Sequence, residues 1–117
     1  MTDPVILYGI SNCDTIRKAR SWLTSHAIEF EFHDYRKQGL DHILLDTMIS
    51  ALGWEAMLNR RGTTWRSLPD SVREQVDETS AKAVMLENPA IIKRPILAAG
   101  QHFHLGFSDQ QYQEIFA

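Results

Sequence analysis

Tyr8-Gly9-Ile10-Ser11-Asn12-Cys13-Asp14-Thr15-Ile16-Arg17-Lys18-Ala19 is the stretch on which the reading of this chain turns. Residues 4–9 (Pro-Val-Ile-Leu-Tyr-Gly), which lead into it, are apolar and β-prone and stop at Gly9, as a short buried strand does. Ser11, Asn12 and Asp14 then offer turn and capping chemistry. Ile16, Ala19, Arg20 and Leu23 recur at spacings of three and four, with Trp22 nearby, and predict a helix from about Asp14 or Thr15 to Ser25. Residues 28–35 (Ile-Glu-Phe-Glu-Phe-His-Asp-Tyr) alternate apolar and polar, the signature of a strand whose alternate side chains share a sheet face. Strand, helix and strand at this spacing make a βαβ unit with parallel strands.

Further along, Gly39 and Asp41 open a helix with apolar positions at Ile43, Leu44, Leu45, Met48 and Ile49, and Gly53 interrupts it. A short helix is predicted over Trp54 to Leu58, a basic and turn-rich connector over 59–70, and a helix from about Thr79 to Glu87 with Thr/Ser caps, ended by Asn88-Pro89. Arg94-Pro95-Ile96-Leu97 begins a strand, Gly100-Gln101 turns it, and His102 to Leu105 pairs back antiparallel. Ser108 caps a last helix through Phe116. The order is β-α-β, several helices, then β-β-α, with no repeat, linker or low-complexity tract, which reads as one domain.

Bulk properties narrow the function. The chain has 117 residues, 44% hydrophobic and 23% charged, and a formal net charge of −3, which gives no general reason to expect nucleic acid or a membrane surface as partner. Its single cysteine excludes an internal disulfide and suits a reducing compartment. The N-terminus lacks the pattern of a signal peptide, and no apolar run approaches the roughly 20 residues of a membrane span, so the expected location is the cytoplasm. The five histidines are scattered without zinc-ligand spacing, and no phosphate-cradling glycine motif occurs, so neither metal nor nucleotide binding is expected.

Cys13 falls between a strand and a helix. Helix N-terminal N–H groups carry about +0.5 of partial charge and favour a thiolate. Together with nearby cations they bring a thiol from about 8.5 to as low as ~3.5–7.5. Arg17 and Lys18 in the first turn add to this, and Asp14 opposes it unless its charge is spent on the helix end. From position alone the residue reads equally as an activated nucleophile and as a small buried hydrophobe.

The opening motif resembles that of the ArsC/Spx superfamily, and most of all its YffB-type branch, which reads Gly-Ile-x-x-Cys-Asp-Thr with basic residues following. His33-Asp34-Tyr35, the segment from Asn59 to Arg66, Ile92-Lys93-Arg94-Pro95-Ile96 and Leu105-Gly106-Phe107 carry the resemblance along nearly the whole chain. It implies an α/β (α+β) thioredoxin-like fold with a small mixed sheet and a helical insert at about residues 40–90, and a cis bond before Pro95. It implies Cys13 as nucleophile, Arg94 beside it, and Arg60 as a second site arginine in the insert. Asn12, Asp14, Thr15, Arg17, Arg60, Arg94 and Pro95 are the implied substrate- or glutathione-binding set.

The function that the resemblance implies is a glutathione-dependent thiol oxidoreductase of the arsenate-reductase-like family, working through a mixed disulfide. Glutathione is then a co-substrate and no cofactor is tightly bound. Its partners are a small oxyanion or a thiol/disulfide substrate, with glutaredoxin as a further candidate, and the small size without heptads suggests a monomer. Two alternatives stand beside it. An arsenate reductase proper carries a histidine at the position of Gly9 and an arginine at that of Phe107, where a more apolar site wall is expected here. An Spx-like regulator binding RNA polymerase often carries a second cysteine at the position of Ile16.

Overall fold

The computed structural model describes residues 4–11 and 13–117. Strand β1 (Val5–Gly9) leads into helix α1 (Asp14–Ser25), and β2 (Glu31–Asp34) returns parallel to β1 with Gly9 opposite Asp34. Helix α2 (Tyr35–Gln38) follows directly. The chain rejoins this sheet with β3 (Ile96–Ala99) and β4 (His102–Leu105), a hairpin turned at Gly100, and closes with helix α8 (Asp109–Ile115). β3 runs antiparallel to β1, so the sheet is mixed, in the order β2-β1-β3-β4. That order, reached by β-α-β followed by β-β-α, is the thioredoxin-like arrangement.

One sheet face carries a buried cluster. Leu7 and Leu97 pack with Ala19, Trp22 and Leu23 of α1 and Tyr112 of α8, all buried, and Phe107 borders the cluster. Apolar burial of this size is the main force that holds two helices on a four-stranded sheet. Tyr8 lies on the opposite face, its ring 5.1 Å from that of His33 and stacked at 6.4 Å on Tyr35.

Residues 39–93 form a second compact unit. It contains α3 (His42–Leu52), α4 (Trp54–Met57), α5 (Thr63–Arg66), α6 (Asp70–Glu74), α7 (Glu78–Glu87) and a 3₁₀ turn at Pro89–Ile91. Asp41 caps α3 by accepting from the Ile43 N–H. A short antiparallel bridge joins Leu58 to Ile92, flanked by the Asn59 N–H on the Ile91 carbonyl and the Lys93 N–H on the Met57 carbonyl, each 2.8 Å.

Several local expectations change. Helix α6 (Asp70–Glu74) has no counterpart in the sequence reading, and β3 begins at Ile96 rather than at Arg94. The second strand is predicted over 28–35 but spans 31–34, because residues 27 and 28 finish α1. The Ala27 N–H donates to Thr24 O and the Ile28 N–H to Leu23 O, with Ala27 at φ 57°, the Schellman pattern that leaves Ile28 committed to the helix end. Tyr35 leaves the strand for α2 because Asp34 accepts from the Arg36 N–H and Gln38 Oε1 accepts from the Asp34 N–H. The connector over 59–70 contains α5, which buries Trp65. Helix α7 starts at Glu78 rather than Thr79, because Asp77 and Ser80 form a reciprocal capping box.

Candidate active site

Cys13 is the N-cap of α1, in extended backbone (φ −147°, ψ 131°), with its side chain partly exposed. The strand closes with Gly9, where a side chain would collide with the helix. An added Cβ would overlap Cδ1 of Ile16 and lie 3.1 Å from its Cγ1. Ile16 is fully buried. The turn between strand and helix is therefore tight and places the sulfur at the helix end.

Burial by itself raises the Cys13 thiol. The Ile16 N–H, the Arg94 guanidinium and the Thr15 N–H more than offset this, and the thiol lies below its ordinary value. The sulfur makes no capping hydrogen bond of regular geometry, so these donors act mainly as positive ends of dipoles and as a charge facing a partly exposed sulfur. Arg94, itself half-buried, stands next to buried Pro95, and the bond between them is cis, as the family resemblance implies.

The remaining expected site residues separate into groups. Thr15 contributes its backbone. Asp14 and Arg17 are paired with each other at the surface, so the cation acting on the sulfur is Arg94 rather than Arg17. Asn12 lies outside the described residues. Arg60, in the unit of residues 39–93, is exposed, with its guanidinium 5.4 Å above the buried ring of Trp65, a cation–π contact. Phe107 is not a free wall: its ring packs edge-on against Tyr112, 4.7 Å between centroids, at the border of the core.

Sequence reasoning passed over Asp34 as a site residue. Its side chain is buried, 4% exposed, and it accepts from the Arg36 N–H at 2.9 Å and the Ser11 N–H at 3.3 Å. Burial raises this carboxyl, but the Arg36 N–H, the hydroxyl and N–H of Ser11, and the Lys37 charge outweigh it and hold it below the usual carboxylate range. The available signal was its place in the His33-Asp34-Tyr35 stretch; nothing local marked the side chain as buried.

Chemically, the arrangement sets one guanidinium and two backbone N–H groups beside the Cys13 sulfur, which favours its thiolate form. Among the described residues no group of three or more His, Cys, Asp or Glu is placed to hold a metal ion, and no helix is long and apolar enough to cross a membrane. A cavity of about 630 Å³ opens at the other end of β1, between Val5, Ala99 and Phe116, and includes none of the groups around Cys13.

Sheet order, the placement of Cys13 and the cis bond at Pro95 define an arsenate-reductase-like thioredoxin fold, and the ArsC family model matches residues 8–115. The chain belongs to the ArsC family. Within it, the structure of the YFFB (PA3664) protein superposes with a TM-score of 0.92 at 41% identity, covering 97% of this chain and 99% of that one. An arsenate reductase (ArsC) related protein from Brucella melitensis is 46% identical with a TM-score of 0.81, covering 99% of this chain and 97% of the other. An uncharacterized protein of Haemophilus influenzae is 44% identical over 113 residues, 97% of this chain and 99% of the relative.

Proposed function

We propose that this protein is a thiol oxidoreductase that uses Cys13 as its single nucleophile and glutathione as its co-substrate. The observation that carries the reading is the lowered Cys13 thiol at the α1 N-terminus, facing Arg94. Lowering a thiol raises its thiolate fraction, the form that attacks disulfides, and the lone cysteine leaves no internal partner to resolve the product. The Cys13 thiolate attacks the glutathione sulfur of a mixed disulfide. The sulfur–sulfur bond breaks, the substrate leaves as thiolate, and Cys13 holds glutathione. A second glutathione thiolate then attacks that glutathione sulfur, releasing glutathione disulfide and the Cys13 thiolate. The net exchange converts the mixed disulfide and one further glutathione into the substrate thiol and glutathione disulfide.

Arg94 favours the attacking thiolate and is suited to a glutathione carboxylate, as Arg60 is, since a guanidinium pairs with a carboxylate through two parallel hydrogen bonds. Asn12, Asp14, Thr15, Arg17 and Pro95 complete the proposed binding set, and glutaredoxin is a candidate to accept glutathione from Cys13. Gly9 and Phe107 supply neither imidazole nor guanidinium, which favours a disulfide over arsenate as substrate.

The test is the rate of Cys13 alkylation by iodoacetamide from about pH 4 to 10, with turnover of hydroxyethyl disulfide by glutathione beside it. The expected midpoint lies below the ordinary thiol value of about 8.5. Arg94→Ala raises it and slows turnover, and Cys13→Ser abolishes turnover. A wild-type midpoint at or above that value, or turnover retained in Cys13→Ser, overturns the reading and shifts it to a protein-binding role of the Spx kind, tested by capture of RNA polymerase.

A further inference from the structure

Asp34 is the one charged side chain in the interior among the described residues. A carboxylate removed from water needs donors in place of its hydration, and the two that hold Asp34 come from different parts of the chain. Arg36 belongs to α2, which Asp34 starts; Ser11 belongs to the β1–α1 loop, two residues before Cys13. The register places Gly9 opposite Asp34 at the ends of β1 and β2, so the carboxylate stands where the loop leaves the sheet. Among the described residues of the loop, the Ser11 N–H is tied to β2 through Asp34, and Cys13 follows as the N-cap of α1.

We infer that Asp34 is a positioning residue for Cys13: by holding Ser11 it keeps the sulfur in front of the Ile16 and Thr15 N–H groups and Arg94. This rests on the reading of Cys13 as nucleophile. It has a consequence opposite in sign to simple electrostatics. A nearby carboxylate disfavours a second anion, so removing the Asp34 charge would by Coulomb's law alone make the thiolate easier to form. If the carboxylate instead holds the loop, its removal lets the sulfur drift from its donors, and the thiolate becomes harder to form.

The experiment is the pH profile of Cys13 alkylation by iodoacetamide in Asp34→Ala and Asp34→Asn, with circular dichroism and urea unfolding to show that each is folded. Asp34→Asn keeps the volume and one acceptor oxygen, and serves alone if Asp34→Ala does not fold. The expected result is a midpoint above that of the wild type, higher for Ala than for Asn, with alkylation near pH 6 slowed by about threefold or more, since the rate follows the thiolate fraction. A midpoint equal to or below the wild-type value in a folded variant overturns the inference. Because the assay uses no glutathione, the two readings fail separately. An ordinary midpoint in the wild type removes the proposed function, whereas a low midpoint shared by wild type and variants removes only the role of Asp34.

Discussion

Replacing Gly9 by alanine tests the contact that shapes the reactive loop. The added Cβ would overlap the terminal methyl of Ile16 and sit 3.1 Å from its Cγ1, and Ile16 is fully buried. Overpacking of this kind costs typically 1–3 kcal/mol. The smaller entropy of the unfolded chain with alanine returns roughly 0.4–1 kcal/mol. The net expectation for Gly9→Ala is a loss of up to about 2.6 kcal/mol, the upper end of the difference of those two ranges. Ile16→Val removes the overlapping methyl and keeps the carbon at 3.1 Å, costing about 0.5–1.5 kcal/mol alone. In the double variant the alanine no longer meets the methyl, so the two costs fall short of their sum by about 1 kcal/mol. Urea unfolding of the wild type, both single variants and the double variant measures this coupling. Costs that add to within about 0.5 kcal/mol would show that Gly9 is not constrained by Ile16, and the account of the tight turn fails.

Two further outcomes follow from buried polar atoms. Tyr112 is fully buried, its ring set edge-on to Trp22 and Phe107, yet its hydroxyl has no hydrogen-bond partner among the described residues. Tyr112→Phe keeps the ring contacts and removes an unpaired group, so urea unfolding should find stability unchanged or raised by up to about 1 kcal/mol; a loss larger than that would expose a partner for the hydroxyl. Asp34 has a folded pKa below its unfolded value, so its ionisation stabilises the fold above about pH 3.9 and the contribution disappears as pH falls through the folded pKa. The stability gap between wild type and Asp34→Asn should therefore be full at pH 7 and shrink below about pH 4; a gap that stays constant from about pH 7 to 3 contradicts the assigned shift.

Local patterns marked the order of elements along the chain and the extent of α1, where Ile16, Ala19 and Leu23 recur at spacings of three and four and are all buried; the thioredoxin-like mixed sheet entered through the family resemblance. The elements that escaped are short ones set by single side chains. Asp34 turns Tyr35 into α2, Asp77 and Ser80 start α7 one residue early, and burial of Trp65 organises Thr63–Arg66. Each depends on where a side chain ends up rather than on a repeating pattern. The site divides in the same way. Cys13 at a helix start was legible from its neighbours, whereas Arg94 is eighty-one positions away in sequence and entered only through the family resemblance. The i, i+3 spacing of Asp14 and Arg17 allowed an ion pair, and that pair diverts Arg17 from the sulfur.

The two departures from the arsenate reductase pattern have a common physical form. At position 9 the space beside the strand end is filled by Ile16, and at position 107 the side chain is an aromatic ring set on Tyr112. Both positions are given to packing, and within the sheet-bearing unit the charge that acts on Cys13 comes from Arg94 and from backbone N–H groups at the start of α1. One guanidinium with helix-end dipoles is matched to a single negative charge, such as an attacking or departing thiolate. An arsenate oxyanion carries more charge than one thiolate and calls for more cationic partners to bind beside an ionised sulfur. Restoring only the histidine at position 9 would not supply them, because its side chain would first have to displace Ile16, the residue whose N–H already faces the sulfur. On this argument the packing of Ile16, as much as the absence of the imidazole, supports the proposed disulfide exchange over arsenate reduction.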